Sequence, residues 1–89
     1  MPIMILSIVQ TNPSFGDIRS NVDDALALMR SVKADLFVLP ELFNTGYNFV
    51  TMDEVIKLSE DDSGYTMQAM LDFAKTNNCY CVFGYAEQA

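Results

Sequence analysis

Glu41 is the residue of this chain best placed to do chemistry. It stands in the run Leu39-Pro40-Glu41-Leu42-Phe43-Asn44-Thr45-Gly46-Tyr47-Asn48-Phe49, just past an apolar stretch, Leu36 to Leu39, that reads as a buried strand. In α/β sheets, ligands and reacting groups gather at the carboxyl ends of strands. A carboxylate at that point, set in apolar sequence between Pro40 and Leu42-Phe43, is suited to moving protons as a general acid or base. The bland alternative is a carboxylate that caps a turn or pairs with an arginine, because one acid at a strand end is a weak signal by itself. Tyr47 and Phe49 are candidates to line a substrate pocket beside Glu41, with core or interface packing as the competing use.

The other reactive side chains make weaker cases. Cys79 and Cys81 lie inside an apolar run, so in a strand they share one face while Tyr80 takes the other. With no His and no second Cys pair, a zinc site lacks ligands, and the two read as buried free thiols in a reducing cytosol. Lys33, Lys57 and Lys75 fall on helices or their ends and read as solvated charges; Glu87 reads as a surface or pocket-rim carboxylate. No glycine-rich phosphate loop follows the first strand, since Thr11-Asn12-Pro13-Ser14-Phe15-Gly16 lacks the spacing. Metal and cofactor are therefore both expected to be absent.

The elements that must position Glu41 follow from hydrophobic periodicity. Ile3 to Val9 is apolar almost without a break, as in a strand covered on both faces. Asn12-Pro13-Ser14-Phe15-Gly16 supplies a turn, and Asp17 a helix cap. Ile18, Val22, Ala25, Leu26, Met29 and Val32 then recur at helical spacing. Pro40 stops the second strand because it cannot donate to a ladder. A loop runs from Phe43 to Thr51, then a short helix through Val55, Ile56 and Leu58 with Asp53 as its cap. Glu60-Asp61-Asp62-Ser63-Gly64 breaks that helix and reads as a solvated acidic face. The next helix, from Tyr65 to Lys75, carries Met67, Met70, Leu71 and Ala74 on one side, with Asn77-Asn78 as a left-handed stop. Cys79 to Phe83 is a third strand. The order β-α-β-α-α-β implies a parallel α/β sheet with helices on one face and the other face bare.

Composition bounds what such a unit can do. The chain has 89 residues, 51% hydrophobic and only 19% charged, so part of its apolar surface is expected to face something beyond itself. Twelve acidic residues against five basic ones give a net charge of −7, which excludes nucleic acid and anionic membrane as partners. The opening run has no basic flank and turns polar at Thr11, too soon for a signal peptide or a membrane span. A cytoplasmic protein is expected.

Leu39-Pro40-Glu41-Leu42-Phe43 followed by Thr45-Gly46-Tyr47 resembles the glutamate motif of the nitrilase superfamily, the carbon–nitrogen hydrolases. Gln10-Thr11-Asn12-Pro13, then Gly16-Asp17 and a helix with Asn21, is similar to that family's amino terminus. Ala34 to Glu41 is similar to its second-strand pattern, and Cys81-Val82-Phe83-Gly84-Tyr85-Ala86-Glu87 to its third. The resemblance implies a four-layer α-β-β-α sandwich, of which this chain is the β-α-β-α-α-β portion, paired into dimers or larger assemblies. It also implies cofactor-free cleavage of a small amide or nitrile through a Glu-Lys-Cys triad. Glu41 matches the general base. In the family the Lys and the nucleophilic Cys lie downstream of the strand that ends near Gly84. Residues 1–89 are thus expected to be the amino-terminal part of one incomplete domain, inactive by itself and partnered by the rest of its polypeptide or by further copies. The alternative is a catalytically incomplete interaction module that persists by pairing with another chain. A phosphoacceptor domain is disfavoured, because no acidic cluster stands at Ile8-Val9-Gln10-Thr11.

Overall fold

A computed structural model of the chain describes residues 3–46, 49, 51–61 and 63–87. Three parallel strands, β1 (Leu6–Ile8), β2 (Leu36–Val38) and β3 (Tyr80–Val82), lie side by side in sequence order. Helix α1 (Ile18–Arg30) links β1 to β2, and α2 (Met52–Leu58) with α3 (Tyr65–Asn77) links β2 to β3. The expected order of elements, the parallel pairing and the α/β class are all present. The strands are shorter than their apolar runs. At the start of the sheet, the Ile5 N–H is taken by the Asp35 carboxylate at 2.8 Å; at the far end, Pro40 has no N–H to offer.

Each helix ends where local chemistry dictates. Asp17 caps α1 by accepting from the Ser20 N–H, and the left-handed Gly16 turns the chain into it. The cap of α2 is Thr51, not the expected Asp53. Thr51 Oγ1 accepts from the Glu54 N–H at 3.3 Å while the Glu54 carboxylate accepts from the Thr51 N–H at 3.0 Å, a reciprocal pair that leaves Asp53 in the first turn. Asn78 stops α3 with φ 50° and ψ 55°, the left-handed residue expected there.

Register decides the two faces of the sheet. The row Ser7–Phe37–Cys81 faces the helices, and the rows Leu6–Leu36–Tyr80 and Ile8–Val38–Val82 face away. Phe37 is only 1% exposed and meets the Phe73 ring edge to face at 5.4 Å, over a floor of Val22, Ala25, Leu26 and Met29 from α1 and Met70 from α3. Burying one such side chain is worth about 1.5–3 kcal/mol. On the outer face Ile8 is 72% exposed and Tyr80 73%. Within this chain the helices cover one face and leave the other bare, as the order of elements implies, so the apolar run of the first strand is covered on one side only. Successive right-handed crossovers running in one direction put α1 and α3 on the same side. The buried face of α3 also differs from its expected stripe. Thr66, Met70 and Phe73 point into the core, while Leu71 is exposed and Met67, Leu71 and Ala74 border a groove of about 390 Å³ against Cys81 and Phe83. Val32, beyond the end of α1, is exposed.

Candidate active site

Parallel strands bring their carboxyl ends to one edge, and Glu41 emerges there. The ladder runs right up to the site: the Val9 N–H donates to the Val38 carbonyl at 2.8 Å and the Leu39 N–H to the Val82 carbonyl at 2.9 Å. After Pro40 the chain makes a tight turn through residues 41–45, pinned at both ends. The Leu42 N–H donates to the Gly84 carbonyl at 2.8 Å, and the Gly46 N–H donates back to the Leu42 carbonyl at 2.9 Å. Leu42 has φ 59°, a left-handed conformation that costs a branched L-residue roughly 1–2 kcal/mol. Burial of Phe43, 1% exposed and edge-to-face with Phe83 at 5.7 Å, helps to hold it.

The consequence for Glu41 is exposure. Its apolar neighbours Leu39 and Phe43 turn into the core, so they do not enclose the carboxylate as the sequence suggested. What does touch Glu41 is Gly84: a Cβ placed there would lie 2.9 Å from Glu41 Cγ. The glycine lets the glutamate side chain lie across the end of β3. A carboxylate presented at a sheet edge, with a locked backbone on both sides, can accept and return a proton from a reactant arriving from solvent.

Other sequence candidates fall in different places. Tyr47 lies outside the described residues. Phe49 packs its ring edge to face on Phe15 at 5.1 Å, tying the loop before α1 to the loop before α2, which is the packing use rather than the pocket use. Cys79 is buried, Cys81 half-buried, and Tyr80 points the opposite way, as strand alternation required. Burial, with the neighbouring Cys79 adding to it, pushes the Cys81 thiol up to about 12. Such a thiol stays protonated at neutral pH and makes a poor nucleophile. Glu87 is exposed, accepts from the Tyr85 hydroxyl at 3.3 Å, and forms a parallel bridge with Glu60. Lys33, Lys57 and Lys75 are exposed. Among the described residues no three His, Cys, Asp or Glu side chains gather as a metal site, and no helix is long and apolar enough to cross a membrane.

Behind the Glu41 turn lies a polar cluster that the sequence reading missed. Asn44, Thr45, Asn21 and Thr66 are all buried. Asn21 Nδ2 donates to the Ser14 carbonyl at 2.7 Å and to the Asn44 carbonyl at 2.8 Å, while its Oδ1 accepts from the Ser14 N–H. Asn44 Nδ2 donates to Glu60 Oε2 and to Thr66 Oγ1, both at 3.0 Å. Glu60 also accepts from the Thr66 N–H at 2.8 Å and from the Thr66 hydroxyl. Glu60 is thus half-buried and three times hydrogen-bonded, not part of a solvated acidic face; Asp61 beside it is exposed and turns back onto Ser63. One signal was available: the N-cap of α3 is Gly64, which has no side chain to cap the helix, so an acceptor had to come from elsewhere.

Known proteins share the family and the fold of this chain. Residues 5–89 match the model of the family described as carbon–nitrogen hydrolase. A nitrilase from Pyrococcus abyssi is 37% identical over 87 residues, 93% of this chain and 33% of the relative. A protein N-terminal amidase from Saccharomyces cerevisiae is 23% identical over 88 residues, 90% of this chain and 19% of the relative. The crystal structure of an N-terminal amidase superposes with a TM-score of 0.86 at 21% identity, over 97% of this chain and 22% of the other, and that of an N-terminal amidase with a Gln-Gly peptide matches equally well. The chain spans a third or less of the length of these relatives. Its six elements are the β-α-β-α-α-β portion of the nitrilase-type fold, and the chain belongs to the carbon–nitrogen hydrolase family.

Proposed function

We propose that residues 1–89 form the amino-terminal part of a carbon–nitrogen hydrolase domain and that Glu41 is its general base. The single observation that carries the reading is the placement of Glu41: exposed at the carboxyl edge of a parallel sheet, on a turn pinned by Gly84 and Gly46. In the proposed cycle Glu41 takes the proton of a cysteine thiol as its sulfur bonds to the amide carbon. The proton passes to the departing amine, leaving a thioester. Water then attacks the thioester, giving its proton to Glu41, and the acid leaves as the thiol is restored. A lysine ammonium would hold the developing oxyanion. The cysteine and lysine of this scheme are assigned to the polypeptide outside residues 1–89. In support, Cys79 is buried and the Cys81 thiol is held protonated. The substrate class is a small amide or nitrile, and the chemistry requires no metal or organic cofactor. Phe49 and Tyr47 remain proposed pocket residues, Phe49 only if its ring leaves Phe15.

A cytoplasmic enzyme that binds neither nucleic acid nor membrane fits the net charge of −7 and the free thiols, and the exposed apolar outer face of the sheet suits burial against the rest of the polypeptide or further copies. The test is Glu41→Gln in the full-length protein, read by ammonia release from short-chain primary amides. A loss of about 10²–10⁴-fold in kcat is expected, the usual contribution of a general base. Full retained activity would refute the assignment. A second reading, a non-catalytic pairing module, is favoured by the exposed outer row Leu6, Ile8, Tyr80 and Val82. Amide turnover by the full-length protein decides against it.

A further inference from the structure

We infer that Glu60 is a positioning residue for the Glu41 turn, acting through Asn44. The inference rests on the reading of Glu41 as the base and adds what holds that base in place. Asn44 lies three residues after Glu41, inside the same turn, and its side chain is 1% exposed. Both hydrogens of its amide are spent on one corner, to Glu60 Oε2 and to Thr66 Oγ1. Asn44 Oδ1 is buried with no hydrogen-bond partner among the described residues. An amide normally avoids stranding its oxygen, at a cost of about 1–3 kcal/mol. Turning the amide over would bring that oxygen against the Glu60 carboxylate, acceptor facing acceptor. The charge on Glu60 thus selects the orientation of Asn44.

Glu60 is itself fixed from three sides. Its Oε1 accepts from the Thr66 N–H at 2.8 Å, in the first turn of α3, where unpaired amides and the helix dipole favour a negative charge. Its Oε2 accepts from the Thr66 hydroxyl, and its backbone N–H donates to the Ala86 carbonyl at 2.9 Å, just past β3. The start of α3, the extension of β3 and the Glu41 turn therefore meet on one carboxylate. The turn's remaining tethers are the Asn21 amide on the Asn44 carbonyl and the Gly16 N–H on the Thr45 carbonyl, which secure its far side to the loop before α1. Without Glu60 the near side keeps only the Asn44 amide on the Thr66 hydroxyl, itself no longer oriented by the carboxylate, and the backbone bonds of Leu42 and Gly46.

Glu60→Gln tests this, because a glutamine has one acceptor oxygen and must turn its NH₂ toward a donor, either the Thr66 N–H or the Asn44 amide. In the full-length protein, hydrogen exchange at the Leu42 and Gly46 amides should quicken by about tenfold or more, while the Leu39 and Tyr80 amides of the sheet stay protected. Ammonia release from short-chain primary amides should fall by about 10–10²-fold in kcat, the scale expected when a base is displaced by a fraction of an ångström. The loss should nearly vanish when Glu60→Gln is made on top of Glu41→Gln, since a residue acting through Glu41 has nothing left to position. If Glu60→Gln does not fold, Thr66→Val removes one donor with little change of shape, and Thr66→Ser should restore the parent behaviour in every readout. Unchanged exchange at Leu42 and Gly46 overturns the inference; so does a double variant whose losses simply multiply. Full activity of Glu41→Gln refutes the base assignment instead, and faster exchange in Glu60→Gln would then report a clamp on a turn that is not catalytic.

Discussion

Glu41 projects from a turn whose backbone is pinned on both sides, whereas Glu60 is the pin of its own corner. Glu41 is exposed, and its nearest constraint is the missing Cβ of Gly84. Glu60 is half-buried and spends its carboxylate on Thr66 and Asn44. Two glutamates at neighbouring points of one fold therefore differ in what they can give. A carboxylate with its lone pairs open to solvent can exchange protons with a reactant. One already accepting three hydrogen bonds can only hold neighbours in place.

Substitutions should separate the two roles, beginning with Glu41→Gln. That change should remove about 10²–10⁴-fold in kcat and leave the unfolding midpoint unmoved, checked by ammonia release beside a thermal melt. Next comes Gly84→Ala, which sets a Cβ 2.9 Å from Glu41 Cγ and must push the side chain aside. A loss approaching about 10²-fold in kcat is expected, with a far smaller effect on stability, because the base moves while the core does not. An undiminished rate would mean the turn can yield without consequence.

Asn44→Ala should cost stability as well as rate, since this amide links Glu60 to the Glu41 turn. It deprives Glu60 Oε2 of a donor and opens a space behind the turn, so about 1–3 kcal/mol of stability should be lost in chemical denaturation. The smallest effect belongs to Asp61→Ala, beside Glu60 but fully exposed. The Ser63 hydroxyl, and then its backbone N–H, donate to Asp61 and hold its carboxyl below the ordinary value of 3.8. A carboxyl lowered by folding contributes stability above its unfolded value, and that contribution is lost as pH falls through the folded one. The small difference in melting between parent and variant should therefore be present at neutral pH and close as the pH is taken below 3.8. A difference that persisted in strong acid would show that Asp61 acts by something other than its charge.

Much of this molecule was legible in its residues. The helical spacing of Ile18, Val22, Ala25, Leu26 and Met29 marked the buried face of α1, and Asp17 and Asn78 marked helix ends, because these are local matters of period and capping. Glu41 was legible for a similar reason: an apolar strand stopped by a proline leaves the next residue at the sheet edge. The α2 cap was misplaced by two residues because Thr51 with Glu54 makes the reciprocal pair that Asp53 cannot. Of the α3 stripe, Met70 is buried as its spacing indicates, while the rest of the buried face is Thr66 and Phe73 rather than Met67, Leu71 and Ala74. Met67, Leu71 and Ala74 are as apolar as Met70 and Phe73, and only the direction of approach of α1 and β2 decides which of them is buried.

By itself the sequence determined the order of elements, the parallel sheet, the emergence of Glu41 at its edge and the family resemblance. All of these follow from short-range periodicity, turn chemistry and one contiguous motif. Tertiary structure alone decided the exposure of Glu41, the fit of Gly84 against it and the burial of Glu60. Each depends on segments far apart in the chain, Glu41 with Gly84 and Asn44 with Glu60 and Thr66, brought together when β3 and α3 close on β2. A carboxylate in an acidic run looks solvated until an uncapped helix start and a buried amide arrive from elsewhere to bind it.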